Sequence, residues 1–168
     1  KGQFDPGNFP TEALLRLRHP ERCLIPPAEF LPLVEHDDLI IDIGEWVIRT
    51  ALAQMAEWRA AGLDLPVSVN VAARQLQHAD FVDCLHGCLS EYPDLPDGSL
   101  ELEILESAAL DNIAHVREII NTCQRMGVGF ALDDFGTGYA SLAYLRDIPA
   151  DVLKIDRSFV RDVLEDAD

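Results

Sequence analysis

The sequence predicts an α/β domain built on parallel strands with covering helices, as a sheet or a barrel. Two observations carry that prediction. Short apolar strand-like runs alternate with longer runs of helical periodicity, and glycines close two of those helical runs. A third observation supports it: polar residues recur on the strand-like runs about one β/α unit apart.

In order along the chain, KGQFDPGNFP (1–10) is turn-rich around Asp5-Pro6-Gly7 and reads as a surface loop or hairpin before the first strand. TEALLRL (11–17) reads as that strand. Ile43, Val47, Ala51 and Met55 then recur at helical spacing, and the run stops at Gly62. PVSVNVA (66–72) is the second strand, and Phe81, Leu85, Cys88 and Leu89 mark a second helix. SLELEIL (99–105) is the third strand; Ile113, Val116, Ile120 and Cys123 form a third helix ended by Gly127. VGFALDDF (128–135) and DVLKIDRS (151–158) are the fourth and fifth strands, and RDVLEDAD (161–168) reads as the start of a helix.

A length of 168 residues with 48% apolar content fits one domain (1–168) with a sizeable core and argues against disorder. No low-complexity stretch or linker divides it. No apolar run approaches the ~18 residues that cross a bilayer, and the N-terminus is not a secretion signal. The net charge of −17, from 30 acids against 13 Lys and Arg, argues against gripping a nucleic acid polymer. Cys23, Cys84, Cys88 and Cys123 form no CxxC pair, so free thiols in a reducing cytosol are expected. Cys84, His86 and Cys88 lack the second ligand pair of a zinc site; helix core explains the two cysteines more simply.

The strand-borne polar residues carry the chemistry. Glu12 lies in the first strand, Asn70 in the second, Glu103 and Glu106 at the end of the third, Asp133 and Asp134 at the end of the fourth, and Lys154 in the fifth. From Glu12 to Asn70, Glu103 and Asp133 the steps are 58, 33 and 30 residues, so each unit delivers a polar group to one rim. In α/β barrels the rim at the C-terminal strand ends is where active sites form. Carboxylates and an amide oxygen are hard donors that suit Mg²⁺ or Mn²⁺. Clustered carboxylates repel unless cations lie among them, and two such ions could bridge a phosphodiester and acidify a water. Neighbours on a regular strand face opposite ways. Asp133 and Asp134 could reach one centre only if the chain turns there, which Gly136 and Gly138 permit.

Each signal has a plainer reading. Asp-Asp before a glycine turn is commonly solvated loop, and Glu12 could be a surface acid. Asn70 and Lys154 are harder to dismiss inside strands. Gly136-Thr-Gly138-Tyr-Ala-Ser141, with Asp156 beyond, imitates a dinucleotide fingerprint. However, Ser141 replaces the third glycine, and two aspartates would repel a pyrophosphate.

Taken together the motifs resemble the EAL domain family, phosphodiesterases of the bacterial messenger cyclic di-GMP. The matching segments are Glu12-Ala13-Leu14-Leu15-Arg16 with His19-Pro20, IPPAEFLPLVE (25–35), SVNVAARQL (68–76), LELEILES (100–107), DDFGTGYASL (133–142) and LKIDRSFV (153–160). The resemblance implies a (β/α)8 TIM-barrel-like EAL fold whose first strand runs antiparallel, present as a partial barrel of five to six strands. It implies that strand before Glu12 and the last two β/α units are missing, with a further glutamate and a glutamine. Open strand edges covered by partner chains or by disorder, and weak or absent activity of this piece alone, are the corresponding expectations.

The resemblance also implies metal binding by Glu12, Asn70, Glu103, Asp133 and Asp134, with Mg²⁺ or Mn²⁺ as a two-metal site and Ca²⁺ allowing binding while inhibiting. Glu12, Asp133, Asp134 and Lys154 would be catalytic, with Lys154 holding the water or steadying a carboxylate. Arg16, Leu15 and Asp133 would meet the substrate, Arg16 at a phosphate. Glu106, Gly136 and Gly138 would brace the loop that leads to a dimer interface. The product would be linear pGpG, made by a homodimer or a chain linked to sensory or GGDEF domains. The setting would be cytoplasmic, or the cytoplasmic part of a membrane-anchored sensor. Leu17 and Leu105 depart from the family's usual Trp and Thr. The alternative is a non-catalytic cyclic di-GMP receptor module; a purely structural dimerisation domain would not need Asn70 or Lys154.

Overall fold

The structure, a computed structural model, describes residues 10–110, 112–136 and 148–156. The chain enters on β1 (Thr11–Ala13) and then makes an antiparallel hairpin of β2 (Leu17–His19) and β3 (Cys23–Ile25). Two helices follow, α1 (Pro27–Val34) and α2 (Leu39–Ala60), then β4 (Val67–Asn70), α3 (Ala73–Leu76) and α4 (Phe81–Ser90). The remainder is β5 (Leu100–Leu105), α5 (Glu106–Leu110), α6 (Ile113–Gln124), β6 (Gly129–Phe135) and β7 (Val152–Ile155). Strands β1, β4, β5, β6 and β7 lie side by side in that order, and every neighbouring pair is parallel.

Parallel strands joined by helices must cover at least one face, and the residue pattern shows which. Val67, Val69, Leu100, Leu102, Ile104, Phe130 and Leu132 alternate along β4, β5 and β6, and each is at most 4% exposed. They pack in one core with Leu52 and Met55 of α2, Leu85 and Cys88 of α4, and Val116, Ile120 and Cys123 of α6. Burial of each large side chain of this kind contributes roughly 1.5–3 kcal/mol. The alternate residues, Glu12, Ser68, Asn70, Glu101, Glu103, Ala131, Asp133 and Lys154, fall on the opposite face by register.

Local signals set the helix ends. Pro26 and Pro27 start α1, Pro27 supplying a preset φ where no N–H is needed. Asn112 caps α6 by accepting from the His115 N–H at 3.3 Å. Gly127 follows α6 with φ 81°, and its carbonyl accepts from Gly98 N at 2.6 Å, tying that turn to the start of β5.

Several expectations are corrected. TEALLRL is not one strand: β1 ends at Ala13, and Leu17 belongs to the β2–β3 hairpin. β1 meets only three residues of β4, so pairing, not local propensity, sets its length. The buried stripe of α2 is Ile40, Gly44, Ile48, Ala51, Leu52 and Met55; Ile43 and Val47 lie half-buried at its margin. Cys88 is core, but Cys84 is exposed. Helix α1 was hidden by its prolines. The opening loop (1–9), the antiparallel strand implied there, Gly138, the GTGYAS turn, the end of DVLKIDRS and RDVLEDAD lie outside the described residues.

Candidate active site

Register alone assembles the polar face. Glu12 is level with Ser68, Asn70 with Glu103, Glu103 with Ala131, and Asp133 sits two residues further along β6. Lys154 sits two beyond Val152, the partner of Ala131, and so on the same face. The Asn70 side-chain amide donates to Glu12 Oε1 at 2.8 Å, which makes its carbonyl oxygen the group free to accept. The Lys154 ammonium donates to Glu103 Oε1, joining β7 to β5 across β6.

The aspartate pair is arranged by a bulge. Between Leu132 and Phe135, β6 advances three residues while β7 advances two, from Leu153 to Ile155. Asp134 adopts φ 55°, a left-handed conformation that aspartate tolerates better than most side chains. The extra residue returns Phe135 to the helix side, where it packs against the core, and leaves two acids on one short stretch. Gly136 follows with φ 99°, and its N–H donates to Glu106 Oε2 at 2.7 Å. The turn therefore rests on Asp134 and Gly136.

Charge is concentrated and poorly compensated. Glu103 is 2% exposed, and among the described residues its Oε2 has no hydrogen-bond partner; Glu106 Oε1 is likewise buried without one there. Burial, then the fields of Asp133 and Asp156, push the Asp134 carboxyl above its ordinary range. Burial alone would lower the Lys154 ammonium, but its bond to Glu103 and the charges of Glu103, Asp133 and Glu101 raise it overall. The lysine therefore stays charged at neutral pH.

These donors suit a hard divalent cation, and a buried carboxylate oxygen with no partner is a group that a cation would satisfy. Among the described residues no three acidic, histidine or cysteine side chains lie close enough to enclose an ion alone. A cation here would also need the Asn70 amide oxygen or solvent.

Other predicted residues lie apart. Leu15 and Arg16 follow β1, and Arg16 donates to the Leu15 carbonyl at 2.7 Å. With Glu12 they line a groove of about 290 Å³ between β1 and the Trp46, Thr50 and Gln54 side of α2. Asn70, Glu103, Asp133 and Lys154 are not part of that groove. Sequence reasoning missed Ser68 and Glu101, one level down the polar face. The L-E-L-E-I-L alternation already placed Glu101 with Glu103.

Comparison with known proteins identifies the family. The chain matches the EAL domain family over residues 6–168. It is 44% identical over 159 residues to the bifunctional diguanylate cyclase/cyclic di-GMP phosphodiesterase MucR of Pseudomonas aeruginosa, covering 94% of this chain and 23% of that protein. It is 40% identical over 152 residues to the cyclic di-GMP phosphodiesterase PdeR of Escherichia coli, covering 90% and 23%. The solved PaMucR phosphodiesterase complex with c-di-GMP superposes with a TM-score of 0.85 at 44% identity, over 93% of this chain and 63% of that one. The chain thus spans about a quarter of the length of these two relatives.

Proposed function

Because the chain belongs to the EAL domain family, we propose that it is a metal-dependent phosphodiesterase that hydrolyses cyclic di-GMP to linear pGpG. The observation that carries this reading is one polar sheet face holding Glu12, Asn70, Glu103, Asp133 and Lys154 in register. Glu12, Asn70, Glu103, Asp133 and Asp134 would hold Mg²⁺ or Mn²⁺ as a pair of ions. Such ions, when bound, supply charge neutralisation for a phosphodiester and a water acidic enough to attack it.

The chain's own residues do the rest. Asn70 is oriented by its bond to Glu12. Lys154 keeps a proton at Nζ and presents positive charge beside Glu103 and Asp133. Arg16, exposed at the end of β1, would meet a phosphate, and Leu15 the ligand beside it. Glu106 holds Gly136 and so fixes where the aspartate pair ends; Gly138 would extend that loop. A homodimer, or linkage to sensory and GGDEF domains in a cytoplasmic setting, belongs to the same proposal.

The alternative is a receptor that binds cyclic di-GMP without cutting it. The purified protein incubated with cyclic di-GMP and Mn²⁺ separates the two. Formation of pGpG that stops in Ca²⁺ supports the enzyme; binding without any turnover supports the receptor.

A further inference from the structure

Lys154 is one cation facing several carboxylates, and among the described residues only one of them holds it. Glu103 gives Oε1 to the lysine and leaves Oε2 buried and unpartnered. Two residues earlier on the same strand and face, Glu101 is 9% exposed and its Oε1 is also without a partner. Level with it on β4, Ser68 is 1% exposed and its Oγ has none either. On the other flank the register partner is Gly129, which carries no side chain; a Cβ there would be in ordinary contact with the Leu100 carbonyl at 3.8 Å and Asp151 Oδ2 at 3.9 Å. Glu101 thus has an idle hydroxyl on one side and a position without a side chain on the other. Buried polar groups left idle are costly, so a pair of them at matched positions calls for a partner that arrives in some state of the protein.

We propose that Glu101 is a positioning residue for Lys154, receiving the ammonium when Glu103 is drawn to a cation. Glu103 cannot give itself fully to a divalent ion while it also carries the lysine, because ion and ammonium repel. Two residues along a strand is about 6.6 Å, a step that the four-carbon lysine stem spans by changing rotamers. Gly129 puts no side chain in the path of that movement, and Ser68, level with Glu101, would donate to its carboxylate and hold it in position. Lys154 already interacts electrostatically with Glu101, as well as with Glu103 and Asp133. The lysine would then remain charged and on the polar face in both states, instead of swinging into solvent.

This inference rests on the proposed metal-binding reading, and two arms separate their failures. The first arm uses no metal: a crystal structure of Glu103→Met, which removes the acceptor at similar length. Lys154 Nζ within about 3.2 Å of a Glu101 oxygen is the expected result; Nζ turned to Asp133 or to solvent overturns the inference. The second arm is a Mn²⁺ titration by calorimetry of the wild type, Glu101→Gln, Lys154→Met and the double variant. Glu101→Gln should bind Mn²⁺ about tenfold more weakly, and that loss should shrink to less than about twofold in the Lys154→Met background. An equal loss in both backgrounds, or none in either, overturns it, since Glu101 would then act as a distant charge or not at all. Ser68→Ala serves as a milder second variant and should reproduce part of the Glu101→Gln loss. A wild type that binds no Mn²⁺ defeats the metal reading, and the crystal arm still decides the place of Glu101.

Discussion

Replacing Lys154 by methionine should destabilise the fold even though the lysine is partly exposed. The substitution keeps the length and the apolar stem but removes the one ion-pair partner that Glu103 has among the described residues. The Glu103 side chain is 1% exposed, whereas that of Lys154 is 32% exposed. Breaking a fully buried pair by removing one member costs roughly 3–5 kcal/mol, because the remaining charge is stranded. The solvent reaching Lys154 screens part of that, so the expected loss is about 2 kcal/mol. For a chain of this size, that is a fall in Tm of about 4–8 °C. Urea and thermal unfolding at neutral pH measure it. Glu103→Gln/Lys154→Met should recover most of the loss, since no charge is then stranded at position 103. A Lys154→Met protein within 1 °C of the parent would refute the reasoning, because Glu103 would then be compensated by something other than the lysine.

Other expectations are equally direct. Gly127→Ala should cost about 2–4 kcal/mol in urea unfolding, because φ is 81° and the new Cβ would lie 2.3 Å from Asp97 Oδ1 and 3.1 Å from its Cα. Asp97→Ala in that background should return the clash component only. Asp134→Asn should leave stability unchanged, while Asp134→Val should cost about 1–2 kcal/mol, since φ is 55° there; equal stabilities would show that the bulge relaxes freely. Burial pushes the Cys123 thiol up to about 12, so a thiol reagent should label exposed Cys23 quickly and Cys123 only on unfolding. The same shift favours the neutral thiol in the folded state. Its stabilisation is complete below the ordinary value of 9.0 and lost as pH rises toward about 12. Cys123→Ala should remove that part of the alkaline slope.

Much of the fold was legible because its strands alternate cleanly. L-E-L-E-I-L and V-G-F-A-L-D-D-F state both the strand and its two faces, and the register then gathers Asn70, Glu103 and Asp133 without help from local geometry. What was hidden depends on tertiary pairing. The end of β1 at Ala13 is fixed by where β4 stops meeting it, and nothing in TEALLRL encodes that. Helix α2 was legible from its spacing, but its buried stripe was not, because Ile43 and Val47 flank that stripe and leave the phase open. The bulge at Asp133–Asp134 was foreseen as a turn, but glycines were credited with what Asp134 itself does. Glu101 lies one step below the rim, on the same alternation that marks Glu103.

The most direct test of the central claim is a calorimetric titration of the protein with cyclic di-GMP in Ca²⁺, repeated after chelation and with Asn70→Ala and Glu12→Ala. The account predicts binding in Ca²⁺ that weakens at least about tenfold in each of the other three conditions. Equal affinity with and without the ion, and in both variants, would mean that the polar face of the sheet does not hold the ligand through a cation.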